Sequence, residues 1–213
     1  KYFLKAKEKS PKTILDNYLI NSLYSWSDLK GKNIEEAISN LQKLDKRFSS
    51  LKKIQNAFLY SFFGHSDAEN FFNELTSEEK TDFSRYNYFY AKYLHSLGKV
   101  QEAKKILNSS LKKYPRNLLL NQYKLDLENS ENNFSFDFKK ETHVIAEILY
   151  IVANAFSSQS IYSASNFYLN LSKYLNKDFH AFDTLMAENF YNIDDLVNSK
   201  KIYKSLEKYG SAF

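Results

Sequence analysis

The sequence predicts an all-α fold, an array of antiparallel helix hairpins, and three observations carry that expectation. The stretch from Tyr86 to Asn117 (YNYFYAKYLHSLGKVQEAKKILNSSLKKYPRN) recurs in weakened form from Ile148 to Asp178 and around Ala181 to Leu206, near the roughly 34-residue spacing of helix-hairpin arrays. In the clearest copy a small residue, Ala91, is followed by a turn and by a second small residue, Ala103. The third observation is compositional: 4 glycines and 2 prolines in 213 residues leave too little turn material for an all-β fold. Each unit of such an array packs on its neighbours, so residues 1–213 are expected to form one continuous solenoid.

Residues 1–13 read as the end of a preceding unit that has been cut through, with Phe3 and Ala6 finishing a helix that Pro11 stops. The first full unit, 14–50, starts with Ile14 to Trp26, where Leu15, Tyr18, Leu19, Leu23 and Trp26 recur at helical spacing. A break at Asp28 to Lys32 separates it from a second helix that begins at Ile34 and places Ala37, Leu41 and Leu44 on one stripe. The next unit, 51–82, carries Ile54, Ala57, Phe58 and Phe62, turns at Gly64 to Asp67, and returns through Ala68, Phe71, Phe72 and Leu75. Thr76 to Glu79 has the Thr-x-x-Glu form of a capping box and marks an expected new helix start.

The unit 84–117 is the best formed. Ala91 and Ala103 stand where its two helices cross, because small side chains let backbones approach to about 8–10 Å. Gly98 supplies the positive φ that ends the first helix, and Pro115 halts the second. Residues 118–140 read as a degenerate repeat or an insertion, with a helical start (LLLNQYKLDL) followed by the aperiodic NSENNFSFDF. The array resumes in units 141–178 and 179–213. Val152, Gln159 and Ala164 fall at the offsets of Ala91, Gly98 and Ala103, as do Ala187, Asp194 and Ser199.

On Ala91, Gly98, Ala103, Leu107 and Pro115 the chain resembles the tetratricopeptide repeat family, and its last third is similar to the carboxy-terminal part of long alphaproteobacterial tetratricopeptide proteins. The resemblance implies a right-handed superhelix whose concave face is lined by the first helix of each unit. Groove-facing residues are then Arg85, Tyr88, Lys92 and His95 in the best unit. The same offsets give Ala146, Leu149, Ala153 and Phe156 in the fifth unit, and Thr184, Glu188 and Tyr191 in the last. A mixed groove of this kind suits an extended or helical peptide. The Lys and Asn pattern of chaperone-tail binders is not matched.

These features point to a non-enzymatic protein-interaction scaffold with a protein or peptide partner. An alternative is a structural subunit that associates with itself or other subunits through Phe134, Phe136 and Phe138, or an accessory factor in envelope assembly. Aromatic residues, 17 Tyr and 18 Phe, are spread along the chain as expected of core filler. The net charge of +5 comes from 30 basic and 25 acidic residues interspersed along the helices, without the basic stripe of a nucleic-acid binder, so no nucleic acid is expected.

No cofactor or metal is expected either. With no cysteine, thiolate sites and disulfides are excluded, and His65, His95, His143 and His180 stand apart on different units, none in metal-helix spacing. No phosphate loop or nucleophile elbow occurs. The longest apolar run, Ile148 to Phe156, is far short of the roughly 18 residues of a membrane span, which predicts a soluble segment. Composition leaves cytoplasm and periplasm open, and the family resemblance leans to the periplasm.

Overall fold

The structure, a computed structural model, describes residues 13–27, 29, 31, 33–77, 84–129 and 135–210. The expected remnant of a preceding unit and Phe134 lie outside them. The described residues form α1 (Ile14–Trp26), α2 (Ile34–Leu41), α3 (Ser49–Phe63), α4 (Ala68–Ser77), α5 (Ser84–Ser96), α6 (Val100–Lys113), α7 (Leu118–Glu128), α8 (Glu141–Ser157), α9 (Tyr162–Leu175), α10 (Ala181–Asn192) and α11 (Leu196–Leu206), with short 3-10 turns at Lys46–Phe48 and Glu207–Tyr209. Consecutive helices pack on one another in the pairs α1/α2, α3/α4, α5/α6, α8/α9 and α10/α11. This is an all-α array of helix hairpins.

Local chemistry fixes the ends. At the start of α1, Thr13 and Asp16 form a reciprocal capping box that satisfies two amides the helix cannot. Asn33, Asn117 and Asp195 cap α2, α7 and α11 through their side-chain oxygens. Thr76 is not a cap. It sits in the last turn of α4, and its hydroxyl donates to the Phe72 carbonyl at 3.0 Å, so the expected helix start moves beyond Ser77.

The repeat is written most clearly in the backbone. Gly64, Gly98, Ser160 and Asp194 hold φ of 73°, 77°, 61° and 60° between the two helices of their hairpins, and the first and last two are each 34 residues apart. Seven residues before each stands a fully buried alanine: Ala57, Ala91, Ala153 and Ala187. Small side chains at these positions let the paired helices pack closely. Nothing lies within 4 Å of a methyl added at Gly98, so Gly98→Ala meets only the backbone penalty. Urea unfolding should show a loss of about 1–2 kcal/mol.

One register differs from expectation. The left-handed residue of the fifth unit is Ser160, not Gln159, so that unit runs one residue later than the sequence comparison placed it.

The array also closes on itself. Helix α1 packs against α8, which opens the third hairpin after its own, and the space enclosed is filled by rings. Phe136 and Phe138, from the non-helical segment before α8, are 2% and 7% exposed. Phe136 lies 4.7 Å from Phe89, 5.9 Å from Phe58 and 5.7 Å from Phe179, centroid to centroid. Asn176 anchors the segment by donating to the Ser135 carbonyl at 2.8 Å, and His143 Nδ1 accepts from the Asp137 amide at 3.0 Å. These two rings are therefore core, and the self-association surface expected at the insertion is not available there.

Candidate functional site

The hairpin frame aligns the first helices of the units residue by residue. Counted from the left-handed residues, Arg85, Tyr88, Lys92 and His95 correspond to Glu147, Tyr150, Asn154 and Ser157 in the fifth unit, and to Ala181, Thr184, Glu188 and Tyr191 in the last. A shift of one residue turns a helix by about 100°. It carries Ala146, Leu149 and Ala153 inward, where they are 0%, 7% and 0% exposed, and brings Asn154 out. Phe156 is half-buried and stacks on Tyr168 of its own hairpin at 5.7 Å and 13°.

A depression of about 470 Å³ lies between α5, α8 and α10. Arg85, Tyr150, Asn154, Thr184 and Glu188 line it together with Leu51, and the link from α6 to α7 adds Arg116, Asn117 and Leu118. Arg85 forms its inner wall. The guanidinium donates twice to Glu147, Nε to Oε1 and Nη2 to Oε2, both at 2.7 Å. It also lies 3.7 Å over the Tyr150 ring.

The Arg85 and Glu147 side chains are 16% and 0% exposed, so this is a buried pair. Burial pushes the Glu147 carboxyl up, and the guanidinium opposes that shift through its charge and two short hydrogen bonds.

Other polar groups of the depression differ in how committed they are. Asn117 accepts from the Leu120 amide at 3.1 Å, and the Thr184 hydroxyl donates to the Ala181 carbonyl at 2.9 Å. Asn154 is exposed and its side-chain amide makes no hydrogen bond among the described residues. Glu188 is exposed and has no ion pair or hydrogen bond among them, and desolvation by the surrounding walls pushes its carboxyl above the ordinary value. Arg116 is exposed at the rim.

The other end of the α5 face opens elsewhere. Lys92 and His95 line a separate depression of about 640 Å³ with Gly64, Asp137, Lys139 and Lys140. Burial pulls the Lys92 ammonium down to about 8 against the opposing charges of Asp126 and Asp137. His95 Nδ1 is 3.0 Å from the Tyr123 hydroxyl, and burial lowers its pKa. The carboxy-terminal ends of α3 and α5 both face this space, and Lys139 Nζ donates to the Phe62 carbonyl at 2.5 Å. Lysines here answer the negative ends of two helices.

A lysine whose pKa is lowered by folding binds its proton more weakly in the native state, so stability rises with pH between about 8 and the ordinary 10.5. Lys92→Met should raise the thermal midpoint at pH 7 and flatten its rise between pH 7 and 9, measured by circular dichroism against the parent chain.

Tyr88 does not reach either depression. It is fully buried, its hydroxyl is 3.2 Å from Ser135 Oγ, and its ring packs on Tyr123 at 4.9 Å and Phe179 at 5.6 Å. The inserted segment and Phe179 cover the middle of the α5 face, so Arg85 and the Lys92/His95 pair look out on opposite sides. Tyr191 is 62% exposed and lines neither depression. Tyr150 and Asn154, which line the depression, Glu147, buried against Arg85, and Arg116 at the rim are the residues that sequence reasoning missed. Placing Ser160 at the turn would have found the first three.

Among the described residues no group of three or more His, Asp or Glu side chains could hold a metal ion, and no helix is long and apolar enough to cross a membrane.

Hairpins in register, small residues at each crossing and a left-handed residue at each turn define a helical repeat protein. Residues 90–117, from within α5 to the end of the α5/α6 hairpin, match the family model described as tetratricopeptide repeat. Over those residues the chain is similar to the tetratricopeptide repeat family. No curated protein matches its sequence.

Proposed function

We propose that the chain is a non-enzymatic protein-interaction scaffold that holds an extended peptide segment in the depression between α5, α8 and α10. The observation that carries this reading is convergence: residues at equivalent offsets on three first helices, Arg85, Tyr150, Asn154, Thr184 and Glu188, line one cleft. An extended segment arrives with unsatisfied backbone donors and acceptors, and the uncommitted Asn154 amide offers both. The tetratricopeptide repeat supports a scaffold role in general, because that family is generally non-catalytic.

Displayed random 12-residue peptides selected on the intact chain supply the probe. Asn154→Ala combined with Thr184→Val should weaken the recovered peptides about tenfold or more, read by fluorescence anisotropy. Unchanged affinity would remove the depression from consideration.

Self-association is a second reading, and its support now lies on α9. Phe167, Leu171 and Tyr174 are 59%, 38% and 87% exposed along one face, flanked by the uncharged Ser163 and Asn170. The outer helices α2, α4, α6 and α11 instead expose charged residues. An uncharged apolar face lets two copies of a +5 chain meet without opposing lysines. Concentration-dependent sedimentation that Phe167→Ser abolishes would favour it, and a strict monomer would rule it out.

A further inference from the structure

We infer that the depression of about 640 Å³ beside Lys92 and Lys140 binds a small organic acid, an apolar body carrying a carboxylate or phosphate group. The site is separate from the depression between α5, α8 and α10, and the inference does not depend on a peptide binding there.

Size and walls set the body of the ligand. The volume falls within the roughly 300–1,000 Å³ of small-molecule sites. Tyr93, Leu97, Phe136 and Phe138 supply apolar wall, and Leu97 is 51% exposed.

The charge of the walls is one-sided. Among the described lining residues, Lys92, Lys139 and Lys140 stand against a single carboxylate, Asp137. That carboxylate is turned to the backbone, where its Oδ1 accepts from the Lys139 amide at 2.8 Å, and it forms no ion pair with any described lysine.

The two negative helix ends do not use up these cations. At the end of α3 the His65 amide donates to the Tyr60 carbonyl at 2.8 Å, and Lys139 answers Phe62. At the end of α5 the Gly98 and Lys99 amides donate to the His95 and Leu94 carbonyls at 2.9 and 3.0 Å. Lys92 and Lys140 are left to meet a ligand. The Lys140 ammonium makes no hydrogen bond or ion pair among the described residues. Lys92 is half-buried with Nζ 5.4 Å from the Tyr123 ring, so salt screens it less than a surface lysine. Asp126 opposes its charge from α7, but that carboxylate is 4% exposed, accepts from Gln122 at 2.7 Å and does not line the space. An acidic group entering here gains ammonium donors from two walls, whereas a basic group meets like charge.

The test is amide chemical-shift titration of the intact chain with benzoate, phenyl phosphate, benzyl alcohol and benzylamine in parallel. At least one of the two acids is expected to shift Leu97, Asp137 and Lys140 and to bind about tenfold or more tightly than the alcohol or the amine. Comparing the two acids tells carboxylate from phosphate. Lys92→Met and Lys140→Gln should each weaken the acid clearly, Lys92→Met by about tenfold, and thermal midpoints at or above that of the parent establish that both fold. An alcohol or amine that binds as well as the acids, unchanged acid affinity in either variant, or acid-induced shifts confined to other parts of the chain would overturn the inference. So would no shift with either acid.

Discussion

Arg85→Ala is expected to destabilise the fold by about 3–5 kcal/mol, among the largest effects of any single substitution in the chain. The change leaves Glu147, fully buried, without the guanidinium that makes it tolerable. It also removes the cation from the Tyr150 ring, 3.7 Å away. The damage should not stay local. Glu147 is on α8, Arg85 on α5, and α1 packs on the same α8, so the pair sits where the array closes.

Trp26 offers a direct reporter. It is the only tryptophan, it lies at the end of α1 with no exposure, and its indole donates to Gln55 Oε1 at 2.7 Å. In Arg85→Ala its emission should shift to longer wavelength at lower urea than in the parent chain. The double variant Arg85→Met, Glu147→Leu removes both charges together and should recover most of the loss, because replacing a buried pair by apolar groups is often close to neutral. Equal losses in the single and double variants would show that packing, not charge, dominates there.

Phe136→Ala should cost a similar amount, about 3–5 kcal/mol. The ring is 2% exposed and touches aromatic side chains from α3, α5 and the start of α10, with His143 at 5.9 Å. Deleting it leaves a cavity at the meeting point of hairpins far apart in sequence, where the surrounding rings, held by one another, collapse poorly. Phe136→Leu, which keeps most of the volume, should lose clearly less. Equilibrium urea unfolding of the three chains measures both differences. A loss below 1 kcal/mol for Phe136→Ala would mean that the segment only covers the groove rather than forming its core.

These two positions show what was legible in the sequence and what was not. The hairpins could be read because helical period, buried alanines and left-handed turns are local signals: α1 and α3 lie where their apolar spacing placed them, and Gly64 and Gly98 hold the turns. Ser160 and Asp194 do the same work without glycine's signature. In the last unit Asp194 was still placed correctly, because its flanking small residues matched. In the fifth, Val152 and Ala153 stand side by side, and choosing the wrong one turned every predicted lining residue by a third of a turn.

The closure of α1 on α8 could not be read at all. It depends on how small rotations accumulate over several hairpins, and no single residue records that sum. NSENNFSFDF lacks helical period and reads as part of a degenerate repeat or an insertion, yet Phe136 and Phe138 in it supply core. The high aromatic content fills space, as composition suggests, and much of that space lies where α3, α5 and the segment before α8 meet. Tyr88 follows from this: its offset was a lining offset, but the segment carrying Ser135 and Phe136 covers it.

The measurement that tests the account most directly is amide chemical-shift mapping on the intact chain, titrated with a 12-residue peptide selected on it. The account predicts that the largest shifts fall at Asn154, Thr184 and Glu188, with Asn117 on the facing link, while the α9 residues Phe167 and Tyr174 stay still. Shifts concentrated on α9, or beside Lys92 and Lys140, would contradict it.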